Sequence, residues 1–327
     1  MTLKKLIGIL ILMSLLSMKD STDKAEALRV SFLGPEGTYT EEAARFWFGS
    51  NEELIPKSTV MEAISDVQTG EADFAVIPQE NTLGGAVVDY VDALIAAEDT
   101  FVVGEVVLPI SQTLMGVPGT ELSEIGTVCS HPQGITQSAE WRRKNLPDAE
   151  TKEMGSTAAA ASYVAELKDK TVAAIAAPGA AELYGLEILA ENVQITDTNK
   201  TRFYVLSDAP KEEDGLSRAV FIADCEGSGI DELIVAMKES GLETVFVHDR
   251  PERSILGRYH FVIEVKDEAG ISDDQIDRIC SMEGVRFAGC FEATEKSVKE
   301  TPSEPAPAET DAGPEMETEG SALEGKK

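Results

Sequence analysis

The sequence predicts an α/β protein carrying a smaller second domain, and three observations carry that reading. From Leu28 to about Leu206, short apolar runs alternate with amphipathic stretches of helical period. A polar segment from Asp208 to Gly215, interrupted by Pro210, then breaks the pattern as a linker does. Beyond it the elements run in the order βαββαβ, the ferredoxin-like arrangement. At 327 residues the chain is long enough for two separate cores.

The first domain is expected over 28–208, the linker over 209–216 and the second domain over 217–294. Its first strand, 29–33, stops at Gly34-Pro35, and a helix over 41–48 opens through the capping pattern Thr38-x-x-Glu41. Further strands are predicted over 74–77, 101–108, 114–117, 125–129, 171–176 and 203–206, with a weaker one over 149–153. Helices are predicted between them, over 60–69, 87–97, 132–145, 157–166 and 177–184. In the second domain, strand 218–223 leads to helix 230–239, strands 244–248 and 259–265, helix 273–282 and strand 285–291. Ile230, Leu233, Ile234 and Met237 recur at i, i+3, i+4 and i+7, one stripe to bury against a sheet.

Both ends of the chain differ from this body. Residues 1–27 form an N-terminal extension in which Lys4-Lys5, the apolar run Leu6 to Met18 and Ala25-Glu26-Ala27 imitate a secretory signal; the run is too short to span a bilayer. Residues 295–327 are rich in Pro, Glu, Ser, Thr and Ala, and so few large apolar side chains predict disorder. That tail holds nine acids and four bases, so most of the formal charge of -31 belongs to the body. Such an acidic surface repels nucleic acid and anionic membrane, which excludes both as partners. Cys129, Cys225, Cys280 and Cys290 form no CxxC pair, and His131, His248 and His260 do not cluster with them. No metal site is expected, and the thiols read as free in a reducing compartment.

The chemistry is expected in the strand-to-helix loops. Gly34-Pro35-Glu36-Gly37 matches neither a dinucleotide fingerprint nor a P-loop, and no lysine follows it, which argues against nucleotide. A helix start of this kind favours an anion. The design recurs at Pro78-Gln79-Glu80-Asn81-Thr82, at Ser130-His131-Pro132-Gln133 and at Gly155-Ser156-Thr157. Ligands of open α/β sheets bind beyond the carboxyl ends of the strands, so hydroxyls and amides of four loops can meet in one cleft. Arg202 in Asn199-Lys200-Thr201-Arg202-Phe203 is the candidate cation for a carboxylate. His131 tempts as a general acid, but beside Pro132 at a helix start it reads as structural.

These stretches, with Gln137 and Tyr184-Gly185-Leu186, stand in the order of the prephenate dehydratase family, which residues 28–206 closely resemble. The second domain is similar to the ACT-type regulatory domain that follows in that family. The resemblance implies a two-lobed, periplasmic-binding-protein-like catalytic domain that turns prephenate into phenylpyruvate, water and carbon dioxide without a cofactor. By the same resemblance Thr201 is the proton donor to the departing hydroxyl, and Asn81, Ser130 and Gln137 position the ring. Thr38, Thr82, Thr157 and Arg202 are candidates for the substrate carboxylates, and Glu80 and Phe203 belong to the same substrate motifs.

In relatives two segments of paired ACT domains bind phenylalanine. Here they read Gly227-Ser228-Gly229-Ile230, in place of Pro-Gly-Ala-Leu, and His248-Asp249-Arg250-Pro251, in place of Glu-Ser-Arg-Pro. Phenylalanine as effector, a homodimer or homotetramer and a cytoplasmic location follow from the resemblance. Arogenate dehydratase is the nearest alternative, and an exported small-carboxylate binding protein is the alternative from another class.

Overall fold

The computed structural model describes residues 27–293 apart from 197, 253 and 254. The signal-like segment, save its last residue, and the acidic tail lie outside those residues. The first lobe is built from β1 (Arg29–Leu33), α1 (Tyr39–Phe48), β2 (Glu53–Lys57), α2 (Val60–Thr69), β3 (Phe74–Asn81), β4 (Gly85–Ala86), α3 (Val88–Ala96) and β5 (Phe101–Pro109). The chain then crosses to a second lobe. There β6 (Thr113–Gly116), β7 (Thr127–Ser130), α4 (Pro132–Gln137), α5 (Ala139–Asn145), β8 (Glu150–Glu153), α6 (Thr157–Leu167), β9 (Val172–Ala176), α7 (Pro178–Tyr184) and β10 (Glu187–Ala190) follow. It returns through β11 (Lys200–Ser207), which inserts antiparallel between β3 and β5 of the first sheet.

The sheet orders are β2-β1-β3-β11-β5, with β4 on β3, and β10-β6-β9-β7-β8. Two crossings, 110–112 and 191–199, therefore join two sheets, each with its own core. This is the expected two-lobed architecture. The strands that sequence patterning overlooked are β2, β4 and β10. Two are edge strands, where Pro56 costs no ladder bond and half the side chains are solvated, and β4 has two residues. Helix 132–145 is two helices: Ser138 leaves helical geometry at φ -97 and ψ 2, and its hydroxyl donates to the Gly134 carbonyl at 2.7 Å.

The ferredoxin-like unit comprises β12 (Arg218–Glu226), α8 (Gly229–Glu239), β13 (Glu243–Pro251), β14 (Arg258–Lys266), α9 (Asp273–Cys280) and β15 (Val285–Phe291). Its antiparallel sheet runs β13-β14-β12-β15. Helix α8 turns its predicted stripe onto one face, in a core shared with Phe221, Ile263 and Ile279. The other face packs against the first lobe: Val220, Ile222, Val262, Ala288 and Phe291 form one buried cluster with Tyr90, Leu94, Val102 and Tyr204. Gly289 makes the approach possible. It adopts φ +124 at a bulge in β15, and a Cβ there would lie 2.2 Å from the Val102 carbonyl oxygen of β5.

Candidate active site

A cavity of about 520 Å³ lies between the lobes. Thr38, Asn81 and Thr201 reach it from the first lobe, Gln112 and Asn199 from the crossings, and His131, Gln133, Gln137, Ser156 and Thr157 from the second lobe. Strand periodicity explains the pairing of Asn199 with Thr201, since residues two apart in extended chain share a face.

A chain of amides fixes the floor. The Asn81 side-chain oxygen accepts from the backbone N–H groups of Leu83 (3.0 Å) and Gly84 (3.1 Å) and from Gln133 Nε2 (3.3 Å). Its Nδ2 is thereby aimed at Thr201 Oγ1 and Asn199 Oδ1, both at 2.9 Å. Asn199 Nδ2 and Gln112 Nε2 in turn donate to Gln137 Oε1, at 3.3 and 3.4 Å. Thr201 is 9% exposed and Asn199 1%, so these bonds are shielded from water.

The structure places the other expected residues less uniformly. Thr38 and Thr157 line the cavity at the starts of α1 and α6, where the Thr38 hydroxyl also accepts from the Glu41 N–H at 3.4 Å and Ser156 caps α6. Ser130 lies beneath the floor, fully buried, donating to the Ile175 carbonyl at 2.7 Å. A Cβ on Gly134 would lie 2.4 Å from its hydroxyl, so Ser130 packs directly against the backbone of Gly134, which lines the cavity. His131 caps α4 through Nδ1, which accepts from the Gln133 N–H at 3.3 Å.

Arg202 stands apart from the other expected residues. One residue along β11 from Thr201, it points to the opposite face of the sheet and does not line the cleft. Its guanidinium donates to Glu105 at 2.5 Å and to Glu264 of β14 at 2.7 Å. Burial works against its charge, but Tyr204, Glu264 and Glu105 outweigh that cost and hold its pKa above the ordinary value. Thr82 likewise does not line the cavity; its hydroxyl donates to the Lys200 carbonyl and accepts from the Lys200 N–H. Glu80 pairs with Ala86 of β4, and Phe203 is buried in the first lobe's core.

Among the described residues, the cavity lining includes no lysine, arginine, aspartate or glutamate. Positive potential comes instead from the starts of α1 and α6, whose capping residues Thr38 and Ser156 both face the cavity. Each helix start favours an anion by about 0.3 to 1 kcal/mol, and up to about 2 where partly buried. Among the described residues no cluster of three His, Cys, Asp or Glu side chains could hold a metal ion.

The sequence profile described as prephenate dehydratase matches residues 30–211. The chain is 33% identical over 273 residues to the prephenate dehydratase of Amycolatopsis methanolica, covering 80% of this chain and 88% of that one. The chain belongs to the prephenate dehydratase family. Its activity is that of a prephenate dehydratase, a carbon–oxygen lyase. A structure of Arthrobacter aurescens prephenate dehydratase in complex with L-Phe superposes with a TM-score of 0.73 at 29% identity, covering 81% of this chain and 90% of that one. GqqA, described as a novel type of quorum quenching acylase, superposes with the same TM-score at 25% identity, covering 82% and 98%.

Two polar residues of this dehydratase cleft escape sequence reasoning. Gln112 sits in a crossing with no flanking motif, and Ser58 lies one residue before Thr59, which is the residue that caps the following helix. Asn199 stands in the Asn199-Lys200-Thr201-Arg202-Phe203 motif with no role expected of it, and the extended backbone puts it on the face of Thr201.

Proposed function

We propose that this cleft binds prephenate as a dianion and converts it to phenylpyruvate, with Thr201 as the proton donor. The carbon–carbon bond to the ring carboxylate breaks, and its electron pair enters the ring as carbon dioxide leaves. The carbon–oxygen bond at the opposite ring position breaks, and the departing oxygen takes a proton to leave as water. The rest of the work is orientation and charge placement. The observation that carries this reading is the 2.9 Å bond from Asn81 Nδ2 to Thr201 Oγ1 in the shielded floor of the cavity. Because that bond occupies an oxygen lone pair, the hydroxyl hydrogen is free to point at substrate and the oxygen is polarised toward giving it up. Gln137 and Asn199 hold the ring from one side. Thr38, Thr157 and the two helix starts face the carboxylates, and Ser130 acts through the Gly134 backbone it packs against.

Purified protein incubated with prephenate should form phenylpyruvate, and Thr201→Ala should lower turnover roughly 10²- to 10⁴-fold while unfolding as the parent does. Thr201→Ser should retain much of the rate. Full activity in Thr201→Ala would remove the donor assignment; no phenylpyruvate from the parent chain would remove the whole reading. Competing turnover of prephenate and arogenate measures preference between the two.

The second domain supports feedback by phenylalanine, the compound bound in the Arthrobacter relative. The segments at 227–230 and 248–251 lie at one end of its sheet, on either side of Tyr259, which pairs with Cys225 and with Pro251. The second segment also grips the catalytic domain. Arg250 makes a two-pronged bond to Asp92 at 2.5 and 2.8 Å, and Tyr90 shares a 2.5 Å bond with His248 Nδ1. An effector seated there would pull on α3 directly. We place the enzyme in the cytoplasm as a homodimer or homotetramer; no helix among the described residues is long and apolar enough to cross a membrane.

A further inference from the structure

One motif has no part in the chemistry above: Tyr184-Gly185-Leu186, at the end of α7. We propose that Tyr184 is a positioning residue that latches the second lobe onto the loop from Gly34 to Thr38, and so holds the anion-binding end of the cavity in place. The inference rests on the reading of the cleft as the prephenate site.

Gly185 ends α7 in the left-handed conformation, at φ 66, and Tyr184 stands half-buried just before it. The Tyr184 hydroxyl crosses between lobes and donates to the Glu36 carbonyl at 2.7 Å. The next residue, Gly37, adopts φ +80, and a Cβ on it would lie 3.1 Å from Leu183 Cδ2 and 3.2 Å from Tyr184 Cε2. Its backbone thus lies close against α7, where a side chain would press on Leu183 and Tyr184 and would also be strained at this positive φ. Burial first, then the carboxylates of Glu36 and Glu41, raise the Tyr184 pKa, so the hydroxyl stays a donor across the neutral range.

The loop is tied from its own side as well. Gly37 N–H donates to Glu41 at 2.6 Å, Arg45 holds Glu41, and the Tyr39 hydroxyl donates to the Ser111 carbonyl in the first crossing. Tyr184 is therefore the tie that comes from the opposite lobe. What it holds is the segment bearing Thr38 and the start of α1, which face the cavity; Thr201, the proposed proton donor, is carried by a different element, β11. Loss of the latch loosens substrate grip and leaves the chemical step intact.

The test is Tyr184→Phe, which keeps the ring and removes one hydrogen bond, beside Gly37→Ala, which forces the loop off α7. For Tyr184→Phe the KM for prephenate should rise roughly three- to tenfold, the span that one lost neutral hydrogen bond allows, with kcat within about twofold. Gly37→Ala should shift KM further in the same direction. Hydrogen–deuterium exchange without substrate should speed up over residues 34–40 and 178–186 in both variants and stay unchanged in the second domain. An unchanged KM with unchanged exchange overturns the latch, as does a fall in kcat at constant KM. If the parent enzyme does not act on prephenate, the cleft reading fails, and the exchange measurement still decides whether Tyr184 ties the lobes.

Discussion

Replacing Arg202 by methionine tests the reassignment of that residue from the cleft to the domain interface. Glu264 has no solvent exposure, and it meets Arg202 at 2.7 Å, Arg218 at 3.3 Å and the Tyr204 hydroxyl at 2.5 Å. A buried ion stripped of its partner costs about 3–5 kcal/mol. Here Arg218 and Tyr204 stay bound to Glu264, so the expected loss for Arg202→Met is about 2–4 kcal/mol. Glu264→Gln keeps the shape but leaves two guanidiniums around a neutral amide, at about 2 kcal/mol. The double variant should lose clearly less than the two together, because the Arg202–Glu264 bond is counted in both single losses, while the Arg202–Glu105 and Arg218–Glu264 contacts each belong to one substitution. Urea denaturation of the four proteins measures this cycle, and prephenate kinetics run in parallel. The reasoning is refuted if Arg202→Met unfolds within about 0.5 kcal/mol of the parent while its KM rises 100-fold or more. That result would put the guanidinium on a substrate carboxylate.

Two further outcomes are expected at the same interface. Gly289→Ala should drive a methyl into the Val102 backbone and cost about 3 kcal/mol, lowering the thermal midpoint by roughly 5 °C or more; a midpoint within about 1 °C would show that the strands are not so close. His248 is the pH-sensitive element. Burial against Tyr90 lowers its pKa, while Glu80 and Asp249 pull it upward and Arg202 adds to the lowering. The unfolded chain therefore takes up the proton first, so the stability contributed is full above about pH 6.5 and is lost as pH falls toward the depressed folded value. Thermal midpoints at pH 7.5 and 5.5 should differ more for the parent than for His248→Gln, and an equal drop in both would contradict this.

Much of the fold could be read from the chain because it rests on local physics. Strand 29–33, helix 60–69 and strand 285–291 carry periodicity or turn residues that pin both ends, and the structure forms them at those limits. The stripe of α8 needed only the 3.6-residue period. What escaped was weakly patterned: β10 and β2 are short, half-solvated edges, and the break at Ser138 depends on one side-chain bond inside an otherwise helical run. The cleft divides in the same way. Its capping residues Thr38 and Ser156, and Thr157 at the first position of α6, were legible as helix starts, whereas the crossing residue Gln112 carries no local signal at all.

The sequence by itself determined the α/β pattern, the ferredoxin-like appendage and the family, because periodicity, caps and contiguous motifs are properties of neighbours along the chain. It could not say on which side of β11 each member of Thr201-Arg202-Phe203 would fall. That depended on where the strand begins and on which sheets cover its two faces. Tertiary packing sent Thr201 to the cavity and Arg202 to Glu264, because a charge excluded from water goes where opposite charge is buried with it.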